Sequence, residues 1–141
     1  KPLDVLNECY RVLKPGGKLY VNFPPYYHPF GAHLSDAIGI PWVHLLFSEK
    51  TLIEVYKELA KKHPDGEERI SFRISKDMNG KEYFSYINKM TIKKAAKIFG
   101  KTSFHISYYR EVPLRKMLKP LTSIPVIKEC FVKMVVCILE K

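Results

Sequence analysis

Between residues 26 and 44 stand the side chains best suited to chemistry: Tyr26, Tyr27, His28, His33, Trp42 and His44, with Phe30 among them. Aromatic faces stack on a planar or methyl-bearing substrate, and an imidazole titrates near enough to neutral pH to take a proton from an accepting atom. The same residues also suit a loop whose aromatics only pack against a sheet. A metal site from His28, His33 and His44 is disfavoured, because the spacing is irregular and carries no carboxylate support. The three cysteines, Cys9, Cys130 and Cys137, form no CxxC pair and suit no disulfide framework. They read as small buried thiols of a reducing cytoplasm, with nothing nearby to activate a thiolate.

The elements that must position these groups follow from periodicity. Leu3, Leu6, Tyr10 and Leu13 recur at helical spacing, with Asp4 early and Arg11 and Lys14 late. KPGG (14–17) ends that helix, and KLYVNF (18–23) follows as a strand. Residues 24–47 are aromatic and broken by prolines. Ser48 caps a helix to about Lys62 that presents Leu52, Val55, Tyr56 and Leu59 on one face. Alternation in RISFRIS and the Asn79-Gly80 pair predict a hairpin over 69–86, with a helical lid and loop as the alternative.

Thr91 caps a further helix that Gly100 stops, with Ile92, Ala95, Ala96 and Phe99 facing inward. SFHISYYR (103–110) then alternates Phe104, Ile106 and Tyr108 against His105, Ser107 and Tyr109, as an edge strand would. Residues 113–129 hold three prolines and short helical turns. FVKMVVCILEK (131–141) is apolar enough to be buried on both faces, inside a sheet.

At 141 residues and 46% hydrophobic, the chain has the size and apolar content of one domain with a real core. No apolar run reaches the roughly 18 residues of a membrane-spanning helix, and no signal-peptide pattern appears. The net charge of +10 permits an anionic partner, although scattered lysines more often form a solvated surface. KPLDVL opens mid-helix without methionine, so the chain reads as part of a longer protein.

ECYRVLKPGGKLYVNF (8–23) resembles the helix, turn and fifth strand of class I S-adenosylmethionine-dependent methyltransferases. MTIKKAAKIFGKTSFHISYYR (90–110) and the apolar C-terminus resemble that family's last helix, sixth strand and antiparallel seventh strand. The resemblance implies an α/β fold: a partial Rossmann-like sheet in the order fifth, seventh, sixth, with helices and an inserted α+β segment over 24–90 on the substrate side. The whole of 1–141 would then be one partial domain, contributing the sheet and the substrate wall of Tyr26, Tyr27, His28, His33, Trp42 and His44.

The family's glycine-rich cofactor turn and ribose-binding acid belong to an N-terminal half that this stretch does not match. S-adenosylmethionine is therefore expected in the parent protein and not on this chain alone, which should be inactive by itself. NFPPY (22–26) looks like an amino-methylating Asn-Pro-Pro-Tyr signature, but it follows the fifth strand instead of the fourth. Phe23 also separates Asn22 from Pro24, so a structural turn is the better reading. Two other classes compete. One is an RNA-binding module using Lys93, Lys94, Lys97 and Lys101 with tyrosine stacking. The other is a homodimer formed through the exposed edge of the fifth strand.

Overall fold

The computed structural model describes residues 1–125 and 127–141. In chain order its elements are α1 (Pro2–Val12), β1 (Lys18–Phe23), α2 (Val43–Leu46), α3 (Glu49–Ala60), α4 (Gly66–Arg73), β2 (Ile74–Lys76), β3 (Glu82–Phe84), α5 (Ile92–Phe99), β4 (His105–Pro113) and β5 (Val132–Glu140). Two 3-10 turns, Lys116–Ser123 and Lys128–Phe131, lie between the last two strands. They fall in the region where short helical turns were expected, of which Val126 lies outside the described residues. The architecture is mixed α/β with two small antiparallel sheets. The chain forms two compact units, residues 1–28 with 90–141 and residues 29–89. Residues 24–28 and Met90, expected within the inserted segment, thus belong to the first unit.

In the first unit the strand order is β1-β5-β4, with β5 antiparallel to both neighbours. Helix α1 begins with Pro2, which loses nothing by lacking an amide hydrogen there, and places Asp4 and Arg11 where the helix dipole favours them. Pro15 cannot extend the helix, and Gly16 takes φ +74°, a left-handed conformation that costs glycine little. The Gly16 amide donates to the Lys141 carbonyl at 2.8 Å, and the Lys141 amide donates to the Gly17 carbonyl at 3.0 Å. This turn therefore joins the start of β1 to the end of β5.

Helix α5 opens with Thr91, whose Oγ1 accepts from the Lys94 amide at 3.0 Å, and buries Ala95 and Phe99. Those residues pack with Leu6, Phe104, Cys137 and Leu139 into one core. The expected burial of β5 on both faces is only half realised. Val135, Cys137 and Leu139 are fully buried, whereas Val136 and Ile138 on the opposite face are half-buried. Central placement comes from hydrogen bonding on both edges, while the core helices pack their residues with one face only.

The expected alternation along 103–110 is corrected by a register shift between Ile106 and Tyr108. One extra residue, Ser107, bulges, so Ile106 and Tyr109 pair with Leu139 and Cys137, while Tyr108 and Arg110 pair with Ile138 and Val136. Tyr108 therefore leaves the inward face that simple period-2 counting assigns to it.

In the second unit Ser48 caps α3, its Oγ accepting from the Thr51 amide at 3.2 Å. The buried stripe is Leu52, Ile53, Tyr56 and Ala60, while Val55, expected inside, is exposed. The expected hairpin over 69–86 is shorter. Residues 69–73 are helical, and only β2 and β3 pair, from Ile74 opposite Phe84 to Lys76 opposite Glu82. Acidic residues in the first turn of α4 and the Arg69–Asp65 bond at 2.8 Å support the helix against the alternating pattern. The Asn-Gly signal itself falls in the turn, where Gly80 has φ +76°. Gly66 admits no side chain, since a Cβ there would lie 2.2 Å from the Ala60 carbonyl oxygen.

Two outcomes are expected for the first unit. Gly16→Ala forces an L residue into the left-handed region and should cost about 1–2 kcal/mol in urea unfolding. The second concerns Glu129, whose Oε1 accepts from the Ile92 amide at 2.8 Å, tying the second 3-10 turn to the start of α5. Burial pushes its carboxyl above the usual range, against the pull of the Ile92 and Lys93 amides. The folded protein thus keeps a proton that the unfolded chain has already released, so stability falls as pH rises through that interval. Glu129→Gln removes this dependence. Its melting temperature relative to wild type should become more favourable between about pH 4 and pH 7, and a constant difference would refute the assignment.

Candidate functional site

The six candidate side chains divide evenly between the two units. In the first, the Tyr26 amide donates to the Met90 carbonyl at 2.7 Å, and the His28 amide donates to the Pro25 carbonyl at 3.0 Å. The rings of Tyr26 and Tyr27 meet edge to face at 5.7 Å. Tyr27 is exposed, and His28 is half-buried with its Nε2 enclosed. Asn22 lies opposite Val136 in the sheet, on the face away from the core, while Phe23 packs against the core.

In the second unit His33 and Trp42 both adopt left-handed backbone, with φ +52° and +56°. The His33 ring is exposed, and its backbone carbonyl makes the contacts described below. The Trp42 amide donates to the Pro29 carbonyl at 2.6 Å, and its buried indole Nε1 has no hydrogen-bond partner among the described residues. His44 stands on α2 with Nδ1 enclosed.

The densest polar arrangement in this unit is one that sequence inspection missed. Asp36 Oδ2 accepts from the Tyr56 hydroxyl at 2.9 Å and lies 3.2 Å from Arg73 and 3.5 Å from Arg69. Arg73 donates to the His33 carbonyl and, at 2.8 Å, to the Tyr86 hydroxyl. That hydroxyl lies 2.8 Å from the Ala32 carbonyl and 2.7 Å from the His33 carbonyl, to which it donates. The Arg73 guanidinium also stacks 4.7 Å over Tyr86 and 5.5 Å over Tyr56. Arg69 and Arg73 are four residues apart on α4, so both reach the same carboxylate.

Burial pushes the Tyr56 phenol up to about 12, helped by its hydrogen bond to Asp36. Burial likewise pushes Tyr86 to about 12, against the neighbouring Arg73 charge. Both phenols stay protonated at neutral pH and serve as donors, not bases. Beside them, a surface cleft of about 450 Å³ is lined by Asp65, Glu68, Arg69, Ser71, Phe72 and Arg73. The network pins the strained backbone at His33 and leaves two guanidiniums facing that cleft.

A signal for it existed in the sequence. Asp36 is the single acid in the apolar stretch 33–47, and a carboxylate in such surroundings demands cationic or hydroxyl partners. Reading 69–73 as a strand hid them by placing Arg69 and Arg73 out of helical register.

Among the described residues no group of three or more His, Cys, Asp or Glu side chains is placed to hold a metal ion. The cysteines are unpaired, and burial pushes the thiols of Cys130 and Cys137 up, away from the reactive thiolate. No described helix is long and apolar enough to cross a membrane. No protein-family model, curated protein or solved structure matches the chain.

Asp36→Ala strips Tyr56 and both arginines of their shared acceptor. It should destabilise the fold by roughly 1.5–3 kcal/mol, the scale of hydrogen bonds to a charged group. The companion Asp36→Asn should move the Tyr56 phenol downward in an NMR titration of labelled tyrosine. An unmoved titration would show that burial alone sets its acidity.

Proposed function

We propose that this chain is the C-terminal part of a class I S-adenosylmethionine-dependent methyltransferase, contributing the last three strands of its Rossmann-like sheet and a substrate-side segment. One observation carries the reading: β5 runs antiparallel between β1 and β4, which are therefore parallel to each other. That matches the order fifth, seventh, sixth that the resemblance to the methyltransferase family implies. Further support comes from the outer edge of β1, which pairs with no strand among the described residues and is open to a preceding one. Tyr26, Tyr27 and His28 leave the carboxyl end of β1, where open α/β sheets bind ligands.

The described residues do not fit the cofactor itself. The amides of the double glycine are already taken, Gly16 by the Lys141 carbonyl and Gly17 by the Lys14 carbonyl, each at 2.8 Å. No catalytic step is therefore assigned to this chain. Its role is to complete the sheet and to present Tyr26, Tyr27 and His28 of the first unit toward the acceptor, while the remainder of the enzyme supplies S-adenosylmethionine.

The test begins with the coding sequence on the 5′ side of the Lys1 codon and continues with calorimetry. The product of the whole reading frame should bind S-adenosylmethionine, and the 141-residue chain should not. A reading frame without a glycine-rich turn after a strand, or a whole product that ignores the cofactor, overturns the proposal. Dimerisation through the β1 edge would instead appear as a concentration-dependent mass of the chain without ligand.

A further inference from the structure

The charge of this chain is not shared between its two units. Fifteen basic and five acidic residues lie in the first unit, against nine of each in the second. The whole excess of +10 therefore belongs to the unit that carries the three-stranded sheet. One face of that sheet packs into the core; the other presents three cross-strand rows. Tyr20, Ile138 and Tyr108 form the middle row, and Asn22, Val136 and Arg110 the next. Lys18, Glu140 and His105 form the third, in which Lys18 lies 3.6 Å from Glu140.

Tyr20 is 60% exposed and Tyr108 42%, and Arg110 has no carboxylate partner among the described residues. Neighbouring strands lie about 4.8 Å apart, so the two tyrosines stand roughly 10 Å apart with an aliphatic floor between them. The bulge at Ser107 produces this arrangement by turning Tyr108 and Arg110 onto the open face.

We propose that this open face is a docking surface for single-stranded nucleic acid. The unpaired bases would stack on Tyr20 and Tyr108, with Arg110 holding a phosphate and the excess charge of the unit drawing the strand in. Sheet faces bearing exposed aromatics recognise unstacked bases in this way, and a base paired inside a duplex offers no ring face to them. A second copy of the chain fits poorly, because its first unit carries the same excess of positive charge. The lysines of α5 are not part of the surface. Ala95 and Phe99 seat that helix on the core side of the sheet, so Lys93 and Lys97 do not share a face with Tyr20, and Lys101 stands in the turn just beyond the helix. The expected union of that lysine face with stacking tyrosines is thus replaced by a different group of residues.

The surface stands independently of the methyltransferase reading, which survives if no nucleic acid binds. Fluorescence anisotropy of the whole chain with labelled oligouridylate and oligothymidylate of about 12 nucleotides tests it. Binding should weaken as salt rises. Tyr20→Ala and Tyr108→Ala should each lower affinity at least about fivefold without changing the salt slope. Tyr20→Phe and Tyr108→Phe, which keep the ring, should bind like wild type. Arg110→Gln should reduce the salt slope by about one. A preference for the uridylate assigns RNA as the ligand, and equal binding assigns single strands of either sugar. The proposal is overturned if neither oligonucleotide binds or if the alanine variants match wild type. It is equally overturned if only Lys93→Gln, Lys97→Gln and Lys101→Gln weaken binding, or if Tyr20→Ala dissolves a homodimer that no oligonucleotide disrupts.

Discussion

The pairing of β5 with both β1 and β4 is the constraint on which the first unit depends. The last strand of the chain lies between the first strand and a strand formed some ninety residues later. No local contact can substitute for it, because β1 and β4 run parallel and each hydrogen-bonds to β5 and not to the other. Its fully buried Val132, Val135, Cys137 and Leu139 form the largest apolar commitment in the sheet. Each buried Val or Leu is worth roughly 1.5–3 kcal/mol. The Lys18–Glu140 pair on the open face, by contrast, is of the exposed kind worth about 0–1 kcal/mol. Apolar burial therefore sets the register, and the ion pair follows it.

The second unit is organised by a different kind of interaction. Its core is apolar, with Tyr56 and Phe84 meeting edge to face at 6.1 Å among aliphatic neighbours. What fixes the irregular segment before α3 is polar. Tyr86 and Arg73 hold the carbonyls around His33, while Asp36 returns the charge of both arginines. A non-glycine residue with positive φ is tolerated where such contacts over-determine the backbone. The candidate residues of 26–44 thus rest on two supports: the end of β1 for Tyr26 to His28, and this network for the segment containing His33.

Local signals in the sequence were legible and non-local ones were not. The caps at Ser48 and Thr91 and the turns at Gly16 and Gly80 depend on a residue and its close neighbours, and each stands where its residue type indicates. The central place of β5 was legible from its apolar run, although only one of its faces is fully buried. The bulge at Ser107 was not, because it is set by which residue of β5 lies opposite. Nor was the helical start of 69–86, where an alternating pattern conceals two arginines that act only in helical register. The Asp36 network suffered from both limits: its partners come from α3, α4 and Tyr86, all distant in sequence.

Charge sharpens the argument about function. Averaged over the chain, +10 looks like the scattered lysine of an ordinary solvated surface, but the second unit is neutral by composition and the first carries all of it. Like charges concentrated on one small unit oppose its folding and raise its attraction for anions. In the same unit, the sheet leaves Tyr20, Ile138 and Tyr108 in one uncovered row. An exposed aromatic row alone would suit any apolar partner, and positive charge alone would suit any polyanion. On the open face itself the charged groups are Arg110 and the Lys18–Glu140 pair, so the excess belongs to the unit as a whole, and it is the rings beside Arg110 that ground the nucleic-acid proposal.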